Sequence, residues 1–197
     1  MTGNELLAWL ASLPPDERDA AVEAHLGIDR GVVSSSPGED LIGHHASGVD
    51  SIVRMTTEAP IAADDVFIDL GAGLGKVALL VRLLTGATVR GIEIQEKLVE
   101  RAREAAARLA LDVTFVHADA RSARLDDGTV FFLYLPFTGP VLAEVLERVR
   151  DVAKRRKTVV CALGVDLERE APWLRRRPSD SFWLAIYDTA APLSSTM

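Results

Sequence analysis

Val66-Phe67-Ile68-Asp69-Leu70-Gly71-Ala72-Gly73-Leu74-Gly75-Lys76 is the stretch on which the fold turns. Val66 to Leu70 is an apolar run of the length of a buried strand, and Lys76 to Leu84 carries apolar residues at helical spacing up to a stop near Gly86. Between them, Gly71, Gly73 and Gly75 let the backbone turn sharply and let a ligand lie against it without interference from a Cβ. Strand, glycine turn and helix in that order form the opening of a unit that binds ligands at the carboxyl end of its strand. A dinucleotide fingerprint places its third glycine at position 76, where this chain has Lys76, so a nicotinamide dinucleotide is disfavoured.

The alternation continues downstream. Thr88 to Ile94 reads as a strand, followed by a helix from Gln95 to about Ala110 with Leu98, Ala102, Ala105 and Leu109 on one side. Val113 to Val116 and Val130 to Leu135 are strands, Val141 to Val152 a helix, and Thr158 to Leu163 a further strand. Helices of this length between strands imply right-handed crossovers and a mainly parallel sheet covered on both faces. Trp173 to Arg177 and Phe182 to Tyr187 flank a turn at Pro178-Ser179-Asp180, a connection too short for anything but an antiparallel pair. The expected architecture is a doubly wound α/β fold whose seven-stranded, mainly parallel sheet ends in an antiparallel hairpin.

Upstream, Leu6, Leu7 and Leu10 share a face of a helix over Asn4 to Ser12 that stops at Pro14-Pro15. Pro15, Asp16 and Glu17 suit the first turn of a second helix ending at Gly27. Gly31 to Gly48 has no period and reads as loop. Residues 1–48 are therefore expected to be a helical extension and loop, a lid or an interaction arm, ahead of a ligand-binding domain over 49–197. The 197 residues are 48% hydrophobic and 26% charged, a globular composition for one domain. A formal charge of -7 disfavours nucleic acid as a partner. No stretch approaches the roughly 18 apolar residues of a membrane span, and the start lacks a basic n-region, so a cytoplasmic setting is expected. Cys161, the one cysteine, lies in an apolar run and reads as core.

The acidic-x-Gly-x-Gly-x-Gly pattern at Asp69 to Gly75 resembles the first motif of the class I, seven-strand S-adenosylmethionine-dependent methyltransferases. Glu93, in Gly91-Ile92-Glu93-Ile94, and Asp119, in His117-Ala118-Asp119-Ala120, stand where that family has its second and third cofactor contacts. The resemblance spans about Val49 to Thr189 and implies S-adenosylmethionine as cofactor. It implies that the amides around Gly71, Ala72, Gly73 and Gly75, with the carboxylate of Asp69, hold the methionine portion. Glu93 then takes the ribose beside Ile94, Asp119 accepts from the adenine amino group, and the Ala120 amide donates to a ring nitrogen. With an electrophilic methyl group delivered by the cofactor, the protein's task is in-line positioning, and a general base is not required.

Leu133-Tyr134-Leu135-Pro136-Phe137 follows the fourth strand, where the resemblance places the acceptor. Family members that methylate nucleobase or glutamine nitrogens carry Asn/Asp-Pro-Pro-aromatic there; Tyr134 and the single Pro136 depart from it. Tyr134 and Phe137 either form an aromatic wall for a cationic or alkyl-amine acceptor or pack the strand end. Val49 to Glu58 resembles the helix before the first strand in seven-strand lysine methyltransferases. The acceptor classes in view are a protein lysine and a small-molecule amine or hydroxyl, with a non-catalytic cofactor-binding protein acting through a partner as the alternative.

His44 and His45, near Glu39, Asp40 and Asp50, lack zinc-like spacing, and no metal is expected; their loop either packs locally or folds over the cofactor. Lys154 to Lys157 precedes the fifth strand and belongs to the edge opposite the site. Arg175 to Arg177 is expected near the rim, a candidate contact for an acidic group.

Overall fold

A computed structural model describes residues 1–28, 48–134 and 138–189. Three helices, α1 (Gly3–Ser12), α2 (Arg18–Leu26) and α3 (Val49–Glu58), precede the alternating part of the chain. There, β1 (Val66–Leu70), α4 (Lys76–Thr85), β2 (Thr88–Glu93), α5 (Glu96–Arg108) and β3 (Val113–His117) form the first half. The second half contains β4 (Val130–Tyr134), α6 (Gly139–Ala153), β5 (Val159–Leu163), β6 (Leu174–Arg176) and β7 (Leu184–Thr189). The seven strands lie in the order β3-β2-β1-β4-β5-β7-β6. β3 through β5 pair in parallel, and β7 runs antiparallel to both β5 and β6.

Strand order reverses between β1 and β4, the position at which open α/β sheets leave a ligand crevice. Because both faces are covered, alternate strand residues enter different cores and the strands read as continuous apolar runs. Phe67, Phe132 and Cys161 join one core with α3, α4 and much of α5. Ile68, Phe131, Leu133 and Val160 join the other, beneath Leu142, Val145 and Val149 of α6.

The N-terminal helices belong to the first of these cores, through Leu6, Leu10, Val22 and Leu26. Helix α1 lies so close to the end of α4 that a Cβ at Gly3 would sit 2.7 Å from the Leu83 carbonyl oxygen. The Thr2 hydroxyl accepts the Glu5 amide while Glu5 accepts the Thr2 amide, a capping box that starts α1 one residue earlier than its apolar stripe. Pro15 to Glu17 form a turn ahead of α2 rather than its first turn, and α2 closes at Gly27 in the left-handed region.

The last strand also departs from expectation. Phe182 and Trp183 stand outside β7, 86% and 65% exposed, whereas Leu184 to Tyr187 are all buried. Register with β5, where Leu163 faces Leu184, decides the boundary; two aromatic residues before that point belong to the turn.

Candidate functional site

The carboxyl ends of β1, β2 and β3 are neighbours, and Asp69, Glu93 and Asp119 stand at or just beyond them. At the first tip the chain turns through Gly71, Gly73 and Gly75, with φ of 86°, 54° and 83°. These values belong to the region that side chains with a Cβ avoid. Gly75 is hemmed in as well, since a Cβ there would lie 2.5 Å from Cζ of Phe115. Gly91 of β2 allows similar proximity, with Ala72 and Phe115 pressed against its backbone.

This close approach settles where the turn's amides go. Gly71 and Ala72 both donate to the Ile92 carbonyl at 2.9 Å, and Gly75 donates to the Ala72 carbonyl at 2.8 Å. Gly73 donates to Oε2 of Glu93 at 2.9 Å, and Oε1 of the same carboxylate accepts the Gln95 amide at the start of α5. Without ligand, these four amides are thus taken up inside the protein. Each is already satisfied within the protein, so a pyrophosphate would meet no free donors at Gly71, Ala72, Gly73 or Gly75. The turn has acceptors to offer instead.

The foremost of these is Asp69. Only 2% exposed, it has an oxygen, Oδ2, that is sealed from water and makes no hydrogen bond. Burial, reinforced by the nearby Glu93 charge and opposed by the Ala78 backbone amide in the first turn of α4, pushes its carboxyl up to about 8. An orphaned acceptor of this kind has a large desolvation cost until a donor arrives, and a cationic donor offsets it best. The ammonium end of an amino-acid tail fits that requirement. S-Adenosylmethionine carries such a tail, and the residues at the other two tips suit the rest of it.

At the second tip, Glu93 retains free lone-pair positions beyond its two amide contacts. Ile94 beside it is an exposed apolar residue, 38% accessible, whose carbonyl lies 3.0 Å from Nε2 of His117. At the third tip, Asp119 is gripped by Arg121: Nε lies 3.1 Å from Oδ1 and Nη2 2.7 Å from Oδ2. The Arg121 guanidinium holds the Asp119 carboxyl below its ordinary range. Ala120 is buried, and its carbonyl accepts from Arg148. On the other side of β1, Tyr134 closes β4 opposite Leu163, half-buried. Leu135, Pro136 and Phe137, like His44 and His45, lie outside the described residues.

Two contacts escaped the reading of the sequence. Arg121 on Asp119 is one; two residues of separation at a strand end carry no pattern that announces it. The other is Lys76, 6% exposed, which donates to Asp19 at 2.5 Å and to Glu23 at 2.7 Å and so fastens α2 to the glycine turn. A signal for it existed. A lysine at the first position of a helix opposes the dipole and calls for an acid nearby.

Arg175 to Arg177 requires a correction. Arg177 is level with Ile186, which faces Cys161 in the middle of β5, so the backbone of the triplet lies below the rim, and the Arg176 side chain reaches up to Asp166 beyond β5. The Arg177 guanidinium is spent on Asp188, through bonds of 2.9 and 2.7 Å, and on the Glu58 carbonyl. Lys154 pairs with Asp151, and Arg156 donates to the Asp127 carbonyl just before β4, at the edge away from the site. Cys161 is fully buried, which pushes its thiol up to about 12. Among the described residues, no group of His, Cys, Asp and Glu could hold a metal ion, and no helix is long and apolar enough to cross a membrane.

Comparison with known proteins accords with this geometry. Residues 67–156 match a family described as a methyltransferase domain. The chain is 30% identical over 154 residues to ribosomal RNA small subunit methyltransferase A of Bifidobacterium adolescentis, covering 71% of this chain and 50% of that one. It is 35% identical over 78 residues to the 27-O-demethylrifamycin SV methyltransferase of Amycolatopsis mediterranei, 39% of this chain and 29% of the other. It thus spans half or less of the length of these curated relatives. Among solved structures, an RNA methyltransferase from Salinibacter ruber in complex with S-adenosyl-L-homocysteine superposes with a TM-score of 0.59. The two are 26% identical, and the match covers 76% of this chain and 95% of that one. Strand order, glycine turn, acidic strand tips and these likenesses agree: the chain has the fold of the class I S-adenosylmethionine-dependent methyltransferases, and its residues 67–156 match a methyltransferase domain.

Proposed function

We propose that this protein transfers a methyl group from S-adenosylmethionine to an amine or hydroxyl acceptor presented over the ends of β4 and β5. The observation that carries the proposal is the buried, unpartnered Oδ2 of Asp69 beside a turn whose amides are consumed, a site made for a cationic amino-acid tail. When bound, the cofactor supplies a methyl carbon already electrophilic on its sulfonium. The chain's own residues then bind and orient. Asp69 receives the ammonium, and Glu93, held rigid by two backbone amides, offers its remaining lone pairs to the ribose hydroxyls. Ile94 provides an apolar seat for adenine, while Asp119, steadied by Arg121, and the Ala120 amide meet its polar edge. Tyr134, with Pro136 and Phe137 next in the sequence, ends β4 on the acceptor side, where the main task is alignment of the acceptor's lone pair with the methyl–sulfur bond and the proton displaced from the amine or hydroxyl passes to solvent.

A protein or small-molecule acceptor is supported by the net charge of -7 and by the likeness to an antibiotic methyltransferase. A second reading, RNA as acceptor, is favoured by the likeness to the Salinibacter and Bifidobacterium RNA methyltransferases. A cytoplasmic setting suits either reading, Cys161 being a lone buried thiol. Incubation with methyl-labelled cofactor and fractionated cell extract separates the possibilities. Label in protein or metabolites supports the first and label in RNA the second; S-adenosylhomocysteine binding without label in any fraction supports a non-catalytic binding protein. Failure to bind S-adenosylhomocysteine at all would overturn the proposal.

A further inference from the structure

The turn between β6 and β7 rises to the same edge of the sheet as the glycine turn. Leu184 opens β7 opposite Leu163 at the carboxyl end of β5, and the strand order places β4 and β5 between this turn and β1. At about 4.8 Å per strand it stands on the acceptor side of the crevice, on the order of 10–15 Å from the glycine turn. Between it and the segment after β5 is a cavity of about 510 Å³, lined by Val165, Asp166, Asp180, Ser181, Phe182 and Trp183 among others.

Phe182 and Trp183 are the most exposed large apolar side chains among the described residues, at 86% and 65%. Their rings meet edge to face, with centroids 5.3 Å apart at 88°. The backbone beneath them is fastened: Gly164 donates to the Trp183 carbonyl at 2.8 Å, and Leu184 donates to the Ser181 hydroxyl at 3.0 Å. Two aromatic rings fixed in water at the mouth of a cavity have their apolar surface unsatisfied.

The charges around them select the occupant. Asp166 and Asp180 line the cavity with one guanidinium, that of Arg176, which lies 3.5 Å from Asp166. Asp166 also accepts the Tyr187 hydroxyl and the Glu168 amide. Arg54 of α3 contacts both Asp180 and Glu58, and Arg177 is matched by Asp188. Three guanidinium groups here, those of Arg54, Arg176 and Arg177, thus face four carboxylates, those of Glu58, Asp166, Asp180 and Asp188, whereas stacking of single-stranded nucleic acid on aromatic rings works with a positively charged groove. Electron-rich ring faces over a lining with more carboxylates than cations suit a positive group.

We infer that this cavity recognises an alkylammonium group on a flexible aliphatic stem, carried by the acceptor or lying next to the atom methylated. The inference rests on the methyltransferase reading above and deepens it by naming a substrate class.

Calorimetric titration of the full chain, saturated with S-adenosylhomocysteine, tests it with four probes: a short lysine-rich peptide, its lysine-acetylated counterpart, spermidine and an oligouridine. Binding of the lysine peptide or of spermidine, with none of the acetylated peptide or oligouridine, is expected. The tighter of the two binders tells whether the ammonium comes from a polypeptide or a free amine. Phe182→Ala/Trp183→Ala is expected to weaken that binding about tenfold, and Trp183→Phe to retain most of it. Both variants should keep wild-type affinity for S-adenosylhomocysteine, which shows an intact fold. Equal binding of the acetylated peptide, oligouridine binding that depends on Trp183, or no binding of either amine by a protein that binds S-adenosylhomocysteine would overturn the inference. Absence of S-adenosylhomocysteine binding in the wild type would instead overturn the methyltransferase reading.

Discussion

Replacing Asp69 by asparagine tests the core of the site most directly. A carboxyl pushed up to about 8 is mostly protonated at pH 7, so capture of an ammonium group requires its proton to leave. Wild-type affinity for S-adenosylhomocysteine should therefore rise about tenfold per pH unit between pH 6 and 7 and flatten above 8, with close to one proton (about 0.9) released per ligand at pH 7. Stability without ligand runs the other way. The folded state keeps a proton that the unfolded chain sheds in the ordinary carboxylate range, so this residue costs stability progressively as pH climbs from about 4 to 8. Asparagine keeps an acceptor for the Ala78 amide but cannot ionise. Affinity at pH 8 is expected to fall ten- to a hundredfold, a range of about 1.5–3 kcal/mol for a hydrogen bond to a charged group. Its pH slope below 8 should vanish, and the melting temperature at pH 8 to 9 should exceed that of the wild type. Calorimetry at pH 6, 7 and 8 in buffers of different ionisation enthalpy reads both affinity and proton count. Any proton linkage belonging to the ligand's own amine survives in the variant and is subtracted. A flat wild-type profile, or an equal slope in Asp69→Asn, refutes the reasoning.

Other positions give sharp expectations. Gly75→Ala should lower stability by about 1–3 kcal/mol, because it combines left-handed backbone with a Cβ pressed on Phe115; adding Phe115→Leu should recover only the steric part, as denaturant melts would show. Leu6→Ala is expected to cost about 2–5 kcal/mol in a single cooperative transition, whereas an independently melting arm would leave the main transition in place. Lys76→Met removes the buried cation from between Asp19 and Glu23 and should cost about 3–5 kcal/mol, with Lys76→Met/Glu23→Leu recovering much of the loss in chemical denaturation. Cys161 should resist a thiol reagent at pH 8 in the native state and react once the protein is unfolded.

The sheet was legible because its strands are buried on both faces, so that Val66 to Leu70 and Val159 to Leu163 stand out as apolar runs between helices of even length. The three strand tips were legible for a related reason, since polar residues that end such runs are conspicuous. What those tips do with their hydrogen bonds was not. Whether the Gly71 and Ala72 amides face a ligand or the Ile92 carbonyl depends on how closely β2 approaches, and that follows from Gly91 having no Cβ. Hydrophobicity misplaced Phe182 and Trp183 in β7, because a solvent-facing aromatic pair and a buried one read alike along a chain. The Thr2 to Glu5 spacing of the capping box was visible, yet the apolar stripe alone starts α1 one residue late.

The lysine that begins α4 carries a practical consequence for anyone trimming this protein. A fragment opening at Val49 would retain the strands, the crevice and every acid at their tips, and would pass for the complete catalytic unit. It would also enclose an ammonium stripped of both its counter-charges one residue beyond the last glycine of the turn, with a greasy scar where Leu6, Leu10, Val22 and Leu26 had rested. Exchanging the front of the chain for another sequence amounts to rebuilding the support on which the cofactor sits.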